Sequence, residues 1–362
     1  MSTPLRVAVI GCGLIARLRH LPAFLECQQR GLVRIVGLCD TDPQSLAQAA
    51  SLVGDCPQFS DYQTLLESLQ PDLVAICTPP VTHAPIALAA LAAGAHVFCE
   101  KPLATTVAEA QEMVAAAVRS GRRTGVNFRY RWIPAARFAR DIIQQGDLGP
   151  LTHLYLNYFN AMLADTTRPV LWRQQRAIAG AGVLADLGSH LIDLVRFWGS
   201  EFRRVTGLTA ALYPRLAGRP VLEADAPDAV TFLAELDGGA LAVFNLTNYA
   251  IGRVNHQRAE VYGRQGSLIY EINRWDEGGD RLRLCLGLLQ GRYEGFSPVR
   301  VPPAYRDLTP NSPIVEFVVA VVEGREYAPS FVDGLRAQEV IAAVEAAAER
   351  LEWVPVERTA LA

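Results

Sequence analysis

The chain has 362 residues, half of them hydrophobic and a fifth charged, a balance that suits two globular domains and excludes a disordered or fibrous protein. A formal net charge of −3 supplies no basic field for nucleic acid, and no window holds the roughly eighteen uninterrupted apolar residues of a membrane helix. The seven cysteines are scattered, mostly within apolar runs and without a CxxC pair, as expected of reduced core thiols in a cytoplasmic protein with no metal site.

The first third alternates between two periods. Short apolar runs rich in β-branched residues stand at 6–11, 33–40, 73–78 and 96–100, with a weaker one at 124–128. Runs of this kind suit parallel strands covered on both faces. The first begins almost at residue 1, which leaves no room for a signal peptide ahead of it. Between the strands lie helical patterns. One follows Asp42 and another follows Asp61, each a plausible N-cap. A third ends on Gly94, and a fourth runs from Thr105–Thr106 to Gly121, with glycine as the C-cap signal. Alternation of this sort predicts a doubly wound parallel sheet over 1–126.

The pattern changes in 127–362. A helix at 134–146 is followed by strand-like runs at 151–160, 229–236, 240–249, 257–263 and 266–272, with a turn signal at Asp237-Gly238-Gly239. A late helix at 335–351 ends the pattern. The expected fold is therefore α/β: a Rossmann-type parallel sheet, then an α+β domain with a large, mostly antiparallel sheet and helices on one face.

The stretch 9-VIGCGLIA-16 reads G-x-G-x-x-A at a strand-to-helix turn. Gly11 permits the tight turn, Gly13 lets backbone approach a pyrophosphate, and small Ala16 lets helix pack on strand. The anion would sit at the helix start, beside Leu14 and Ile15. Asp40 ends the second strand, 27 residues after Gly13 where roughly 20 is usual, and a loop near Arg30–Gly31 absorbs the excess. Its carboxylate suits ribose hydroxyls and would repel a 2′-phosphate, which favours NAD over NADP. Ligands bind outside the carboxyl ends of strands in such sheets. That places Thr78, Pro79 and His83 of 78-TPPVTH-83, and Glu100 and Lys101 of 100-EKP-102, at the same crevice. The plainer alternatives are a solvated Glu100–Lys101 pair and a surface histidine at a helix start.

In 180-GAGVLADLGSHLIDL-194, Asp186 and His190 stand four apart on an apolar helix. A wheel groups Asp186, Ser189, His190, Asp193 and Arg196 on one arc, so the helix could simply turn a polar face to solvent. The small residues 179-AGAG-182 argue for close approach of another backbone or a ligand. Histidine is also the side chain whose ordinary pKa suits removal of a hydroxyl proton when an alcohol loses hydride.

Together, G-x-G-x-x-A, Asp40, 100-EKP-102 and 180-GAGVLADLGSHLID-193 resemble the glucose–fructose oxidoreductase / inositol dehydrogenase / rhizopine-catabolism (Gfo/Idh/MocA) family. The likeness extends to 127-NFRYRWIPA-135, 172-WR-173 and 331-FVDGLRAQEV-340, with Ala181 replacing the family's usual middle glycine. The resemblance implies an NAD-dependent dehydrogenase of sugars, inositols or related polyols, with Lys101, Asp186 and His190 around the reacting carbon. Asp186 would either orient His190 or hold a neighbouring hydroxyl. Arg129, Tyr130, Trp172 and Arg173 are candidates for substrate contact, since aromatic faces and forked donors suit sugar rings. The resemblance further implies a cis bond before Pro102, and a homodimer or homotetramer associating through the open face of the second sheet. The alternatives are a relative that cleaves glycosidic bonds through transient oxidation by retained NAD, or a non-catalytic sensor of NAD or sugar.

Overall fold

The computed structural model describes residues 3–165, 170–212, 224–273, 281–287, 295–305, 308–309 and 311–361. The chain divides into two compact units. The first comprises Met1–Arg129 and Thr309–Gln338, and the second Tyr130–Leu308 and Glu339–Ala362. The contiguous division at 126/127 therefore misses a return: 309–338 packs with the first unit.

Six parallel strands form the first sheet: β1 (Leu5–Ile10), β2 (Val33–Cys39), β3 (Gln58–Phe59), β4 (Leu73–Ile76), β5 (His96–Cys99) and β6 (Thr124–Val126). Their order is β3-β2-β1-β4-β5-β6, so the winding reverses between β1 and β4, where such sheets open a crevice. The caps are as the sequence suggests. Asp42 accepts from the N–H of Ser45 at 2.9 Å to start the helix Pro43–Val53, and Asp61 accepts from Thr64 at 2.8 Å to start Tyr62–Leu69. Thr106 and Glu109 close a reciprocal capping box on Val107–Ser120, which ends at Gly121 with φ +64°. The returning helix Ser312–Glu323 escaped the sequence reading because its apolar residues run almost unbroken, without the polar stripe that marks a surface helix. Its Phe317 is fully buried, with its ring centroid 5.2 Å from that of Phe98.

His96, which begins β5, accepts the Arg123 N–H on Nδ1 at 2.9 Å. Burial, reinforced by the charges of Arg122 and Arg123, pushes its imidazole down to about 4. The unfolded chain, with an ordinary histidine near 6.5, takes up this proton first as pH falls. Stability from the neutral ring is thus complete above about pH 6.5 and is lost as pH falls toward 4. The expected result is a flatter decline of melting temperature between pH 7 and 4.5 in His96→Asn than in the wild type; identical slopes would remove His96 from the acid response.

Among the described residues the second sheet has nine strands: β7 (Leu151–Phe159), β8 (Phe202–Ala210), β9 (Ala229–Leu236), β10 (Leu241–Thr247), β11 (His256–Gly263), β12 (Gly266–Ile272), β13 (Arg281–Leu286), β14 (Ser297–Val299) and β15 (Val354–Pro355). Their order is β14-β13-β12-β11-β7-β10-β9-β8-β15, antiparallel throughout except for the β7–β10 pair. β9 and β10 turn through Gly238 and Gly239, both at positive φ. One face buries Leu154, Leu156, Tyr158, Phe232, Phe244 and Val261. It is covered on its own unit by Pro134–Gln144 and Ser189–Phe197: Trp198 donates to the Ala136 carbonyl at 3.1 Å and meets Tyr270 edge-on at 5.8 Å. The other face leaves Tyr155, Leu208, Leu233 and Leu241 exposed. By length and composition the run Arg176–Phe197 could cross a membrane, but 83% of its apolar window is buried inside the protein, as in a core helix.

Candidate active site

In the first unit the glycine loop is shaped for an anionic ligand. β1 delivers Gly11 at φ +89°, and a Cβ there would stand 2.6 Å from the Cys77 carbonyl carbon and 2.7 Å from the Thr78 nitrogen. Only glycine fits. A Cβ on Gly13 would meet nothing within 4 Å, so that side of the loop is open for close approach. Ala16 is fully buried, Ile15 is half-buried and Leu14 is exposed. The first helical turn, Ala16–His20, is π-helical, a local widening often met at functional sites. Asp40 fastens the loop to the end of β2: it accepts from the Cys12 N–H at 2.6 Å with one oxygen and from the Asp42 N–H at 2.8 Å with the other. Remaining lone pairs on these oxygens can still take ribose hydroxyls. Across the crevice, beyond β4, the Thr78 hydroxyl oxygen is buried with no hydrogen-bond partner, and Pro79 beside it is half-exposed. The Gly11 turn, the open side of Gly13, the Asp40 carboxylate and the unpartnered Thr78 hydroxyl together fit a dinucleotide.

Glu100 and Lys101 do not form a solvated pair. Glu100 is 7% exposed and lies within a polar cluster: His20 Nε2 stands 2.9 Å from Oε1, Asn127 donates to the same oxygen at 2.6 Å, and the Lys101 N–H donates to Oε2 at 3.3 Å. Burial pushes the Glu100 carboxyl up, but the bond and charge of His20, the amide of Asn127 and the charge of Lys101 outweigh it and hold the group down to about 2. Lys101 is half-buried, and its bond to Pro102 is cis. His83, expected to face a cofactor or solvent, is fully buried. Its Nδ1 lies 2.8 Å from the Pro102 carbonyl and its Nε2 2.9 Å from the Thr78 carbonyl, and burial lowers its pKa. It ties the two crevice loops to each other, so its effect on a cofactor would act through Thr78 and Lys101. His20 and Asn127 were missed because they stand 80 and 27 positions from Glu100, with no motif joining them.

In the second unit, Gly182 shows what the small residues are for. At φ +57°, a Cβ there would sit 2.2 Å from the Pro227 carbonyl oxygen, which accepts from the Val183 N–H at 2.7 Å. The close approach is to backbone. Asp186 then occupies a π-helical turn, Leu184–Gly188, and His190 the helix Ser189–Phe197 that continues it. Ser189, His190 and Asp193 are 0%, 5% and 2% exposed, so this arc is not a solvent face. Asp193 instead receives a bidentate bond from Arg131, at 2.8 and 2.6 Å, with both side chains buried. The Arg173 guanidinium lies 4.2 Å over the Trp172 ring, and its Nε stands 3.6 Å from Asp186, so three predicted residues meet. Tyr130 is buried, with its ring 4.6 Å from that of His190 at 84°. Arg129 is half-buried and falls on the other side of the division, in the first unit. Among the described residues no cluster of three or more His, Cys, Asp or Glu side chains could hold a metal ion. Among the described residues no disulfide joins the cysteines, and burial pushes the thiols of Cys12 and Cys27 up to about 12.

A parallel dinucleotide-binding sheet followed by a large mixed sheet, with Asp186 and His190 on helical turns of the second unit, is the arrangement of a dinucleotide-dependent oxidoreductase. The chain belongs to the GFO/IDH/MocA oxidoreductase family: residues 5–128 match its NAD-binding Rossmann domain, and residues 136–269 match its C-terminal domain. Levoglucosan dehydrogenase of Pseudarthrobacter phenanthrenivorans is 30% identical, over 97% of this chain and 98% of its own. D-apiose dehydrogenase of Paraburkholderia graminis is 29% identical over 72% of this chain and 66% of its own. Among solved structures, an oxidoreductase domain protein from Kribbella flavida superposes with a TM-score of 0.88 at 33% identity, covering 98% of this chain and 100% of that one. Levoglucosan dehydrogenase in complex with NADH and L-sorbose gives 0.89 at 29% identity, covering 98% and 99%.

Proposed function

We propose that the protein is an NAD-dependent dehydrogenase that oxidises a secondary hydroxyl of a sugar, anhydrosugar or related polyol, or reduces the matching ketone. The observation that carries this reading is the full-length likeness to levoglucosan dehydrogenase, with Lys101, Asp186 and His190 all present. The backbone at Gly11 and Gly13 and the helix start at Leu14 and Ile15 would hold the pyrophosphate, Asp40 the adenosine ribose, and Thr78 a further polar group. The chemistry supplied by the bound cofactor is hydride exchange at its nicotinamide ring. In oxidation His190 takes the hydroxyl proton, while the Lys101 ammonium donates to the same oxygen and stabilises its developing negative charge. In reduction His190 returns the proton. The Arg173–Asp186 pair, stacked on Trp172, favours substrate hydroxyl binding for Asp186: the carboxylate accepts, the guanidinium donates, and the indole supplies an apolar face.

The test is a screen with NAD and NADP against levoglucosan, aldoses and inositols, read as absorbance of reduced cofactor. Turnover with one sugar class is expected. Tight NAD binding with no turnover across the panel would move the assignment to a redox-assisted glycosidase or a sensor. Asp40→Ser is expected to raise the KM for NAD roughly 10–100-fold, through loss of hydrogen bonds to a charged group, and to leave NADP use unchanged or better. An unaltered NAD-to-NADP preference would place the discrimination elsewhere. We further propose assembly as a homodimer or homotetramer through the face exposing Tyr155, Leu208, Leu233 and Leu241. Sedimentation as a monomer at micromolar concentration would remove that expectation.

A further inference from the structure

We infer that Tyr158 and Asn255 are positioning residues for His190, acting through Tyr130. The inference rests on the reading of His190 as the proton acceptor. Tyr158 projects from the buried face of β7, and Tyr130 from the short turn Arg129–Trp132. Their hydroxyls lie 2.7 Å apart. Asn255 stands at the head of β11 with φ +54°, a left-handed conformation that asparagine tolerates better than other side chains. Its amide nitrogen donates to the Tyr130 hydroxyl at 3.0 Å, and its carbonyl accepts from the Tyr158 hydroxyl.

One proton arrangement satisfies all three groups at once. Tyr158 donates to the Asn255 carbonyl, the Asn255 amide donates to Tyr130, and Tyr130 donates to Tyr158. The ring closes with every member both donor and acceptor, and the Asn255 carbonyl also lies 3.1 Å from the Tyr130 hydroxyl. With both tyrosines buried and Asn255 half-buried, a closed network of this kind is rigid. Its two tyrosines lie against the imidazole. Tyr130 meets the His190 ring edge-on at 4.6 Å, and Tyr158 lies tilted at 6.3 Å. Rotation of the imidazole would displace Tyr130, and Tyr130 is anchored by its hydroxyl. A proton acceptor must hold its nitrogen within hydrogen-bond reach of the reacting hydroxyl, and small misplacements are costly. The sequence reading took Tyr130 for a substrate contact, whereas its hydroxyl is committed to this ring. Tyr158 and Asn255 carry no local motif and were not singled out.

The test compares Tyr158→Phe, which keeps the ring and removes its hydroxyl, with Asn255→Gly, which removes the amide and accepts the positive φ. Each full-length variant is first checked for an unchanged circular dichroism spectrum. Two readouts follow: steady-state oxidation of levoglucosan with NAD, and the pH titration of the His190 ring C–H resonance, assigned by its loss in His190→Ala. Expected are a fall in kcat of roughly 10-fold with an unchanged KM for NAD, together with a displaced or broadened His190 resonance in both variants. An unaltered His190 resonance overturns the inference, whether or not kcat falls. The resonance is measured without substrate, so it judges positioning even if levoglucosan is not turned over. Full activity in His190→Ala would defeat the functional reading separately.

Discussion

Replacing His190 with alanine is expected to lower turnover by about 10²–10⁴-fold while NAD binding persists. The helix Ser189–Phe197 places the ring among Tyr130 and Tyr158, in the second unit, and the glycine loop that would hold the cofactor belongs to the first. On the proposed mechanism, Lys101→Met should cause a loss of similar size by a different route, because it removes the charge proposed to stabilise the developing alkoxide. The cluster of Glu100, His20 and Asn127 stays polar in that variant, since the Lys101 contribution to it includes a backbone N–H. Measuring kcat with a saturating sugar, and NADH binding by fluorescence, separates the two effects. Equal activity in wild type and His190→Ala would exclude the histidine as proton acceptor, and loss of NADH binding would mean that the substitution acted on the fold.

The second large effect is on stability. Asp193→Ala is expected to cost about 3–5 kcal/mol, because it strands the Arg131 guanidinium in the interior. The partners are 8% and 2% exposed and joined by two hydrogen bonds, with the guanidinium also 5.3 Å from the Phe197 ring centroid. The double variant Arg131→Met/Asp193→Leu should recover much of the loss, since a well-packed apolar pair can replace a buried ion pair. Chemical denaturation reads both. A loss below about 1 kcal/mol in Asp193→Ala would show that the pair behaves as a surface bridge.

The nucleotide-binding half was the more legible in sequence. Its strands are continuous apolar runs, its helices start on Asp42, Asp61 and Thr106, and its glycine loop has a distinct spacing. All of that information is local. β3 escaped because one exposed glutamine and one half-buried phenylalanine make no apolar run. β8 and β13 escaped because arginines break their apolar runs, Arg203–Arg204 in one and Arg281 and Arg283 in the other, and β14 is only three residues long. In the candidate site, the glycines at 180 and 182 announced a close approach that the Pro227 carbonyl supplies. The wheel through Asp186 and Asp193 misled for two reasons. The π-helical turn Leu184–Gly188 breaks the 3.6-residue phase, and the charge on Asp193 is matched by Arg131, 62 positions away. Partners of that kind, including His20 and Asn127 for Glu100, and Asn255 for the two tyrosines, become visible only once the chain is folded.

The central claim is hydride exchange between a sugar carbon and NAD. The most direct measurement uses levoglucosan deuterated at its ring carbons, incubated with NAD and the intact protein, with the products read by NMR. Reduced cofactor is expected to carry deuterium at C4 of the nicotinamide, in equal amount to the keto sugar formed. Deuterium that remains on the sugar while the cofactor stays oxidised would contradict it.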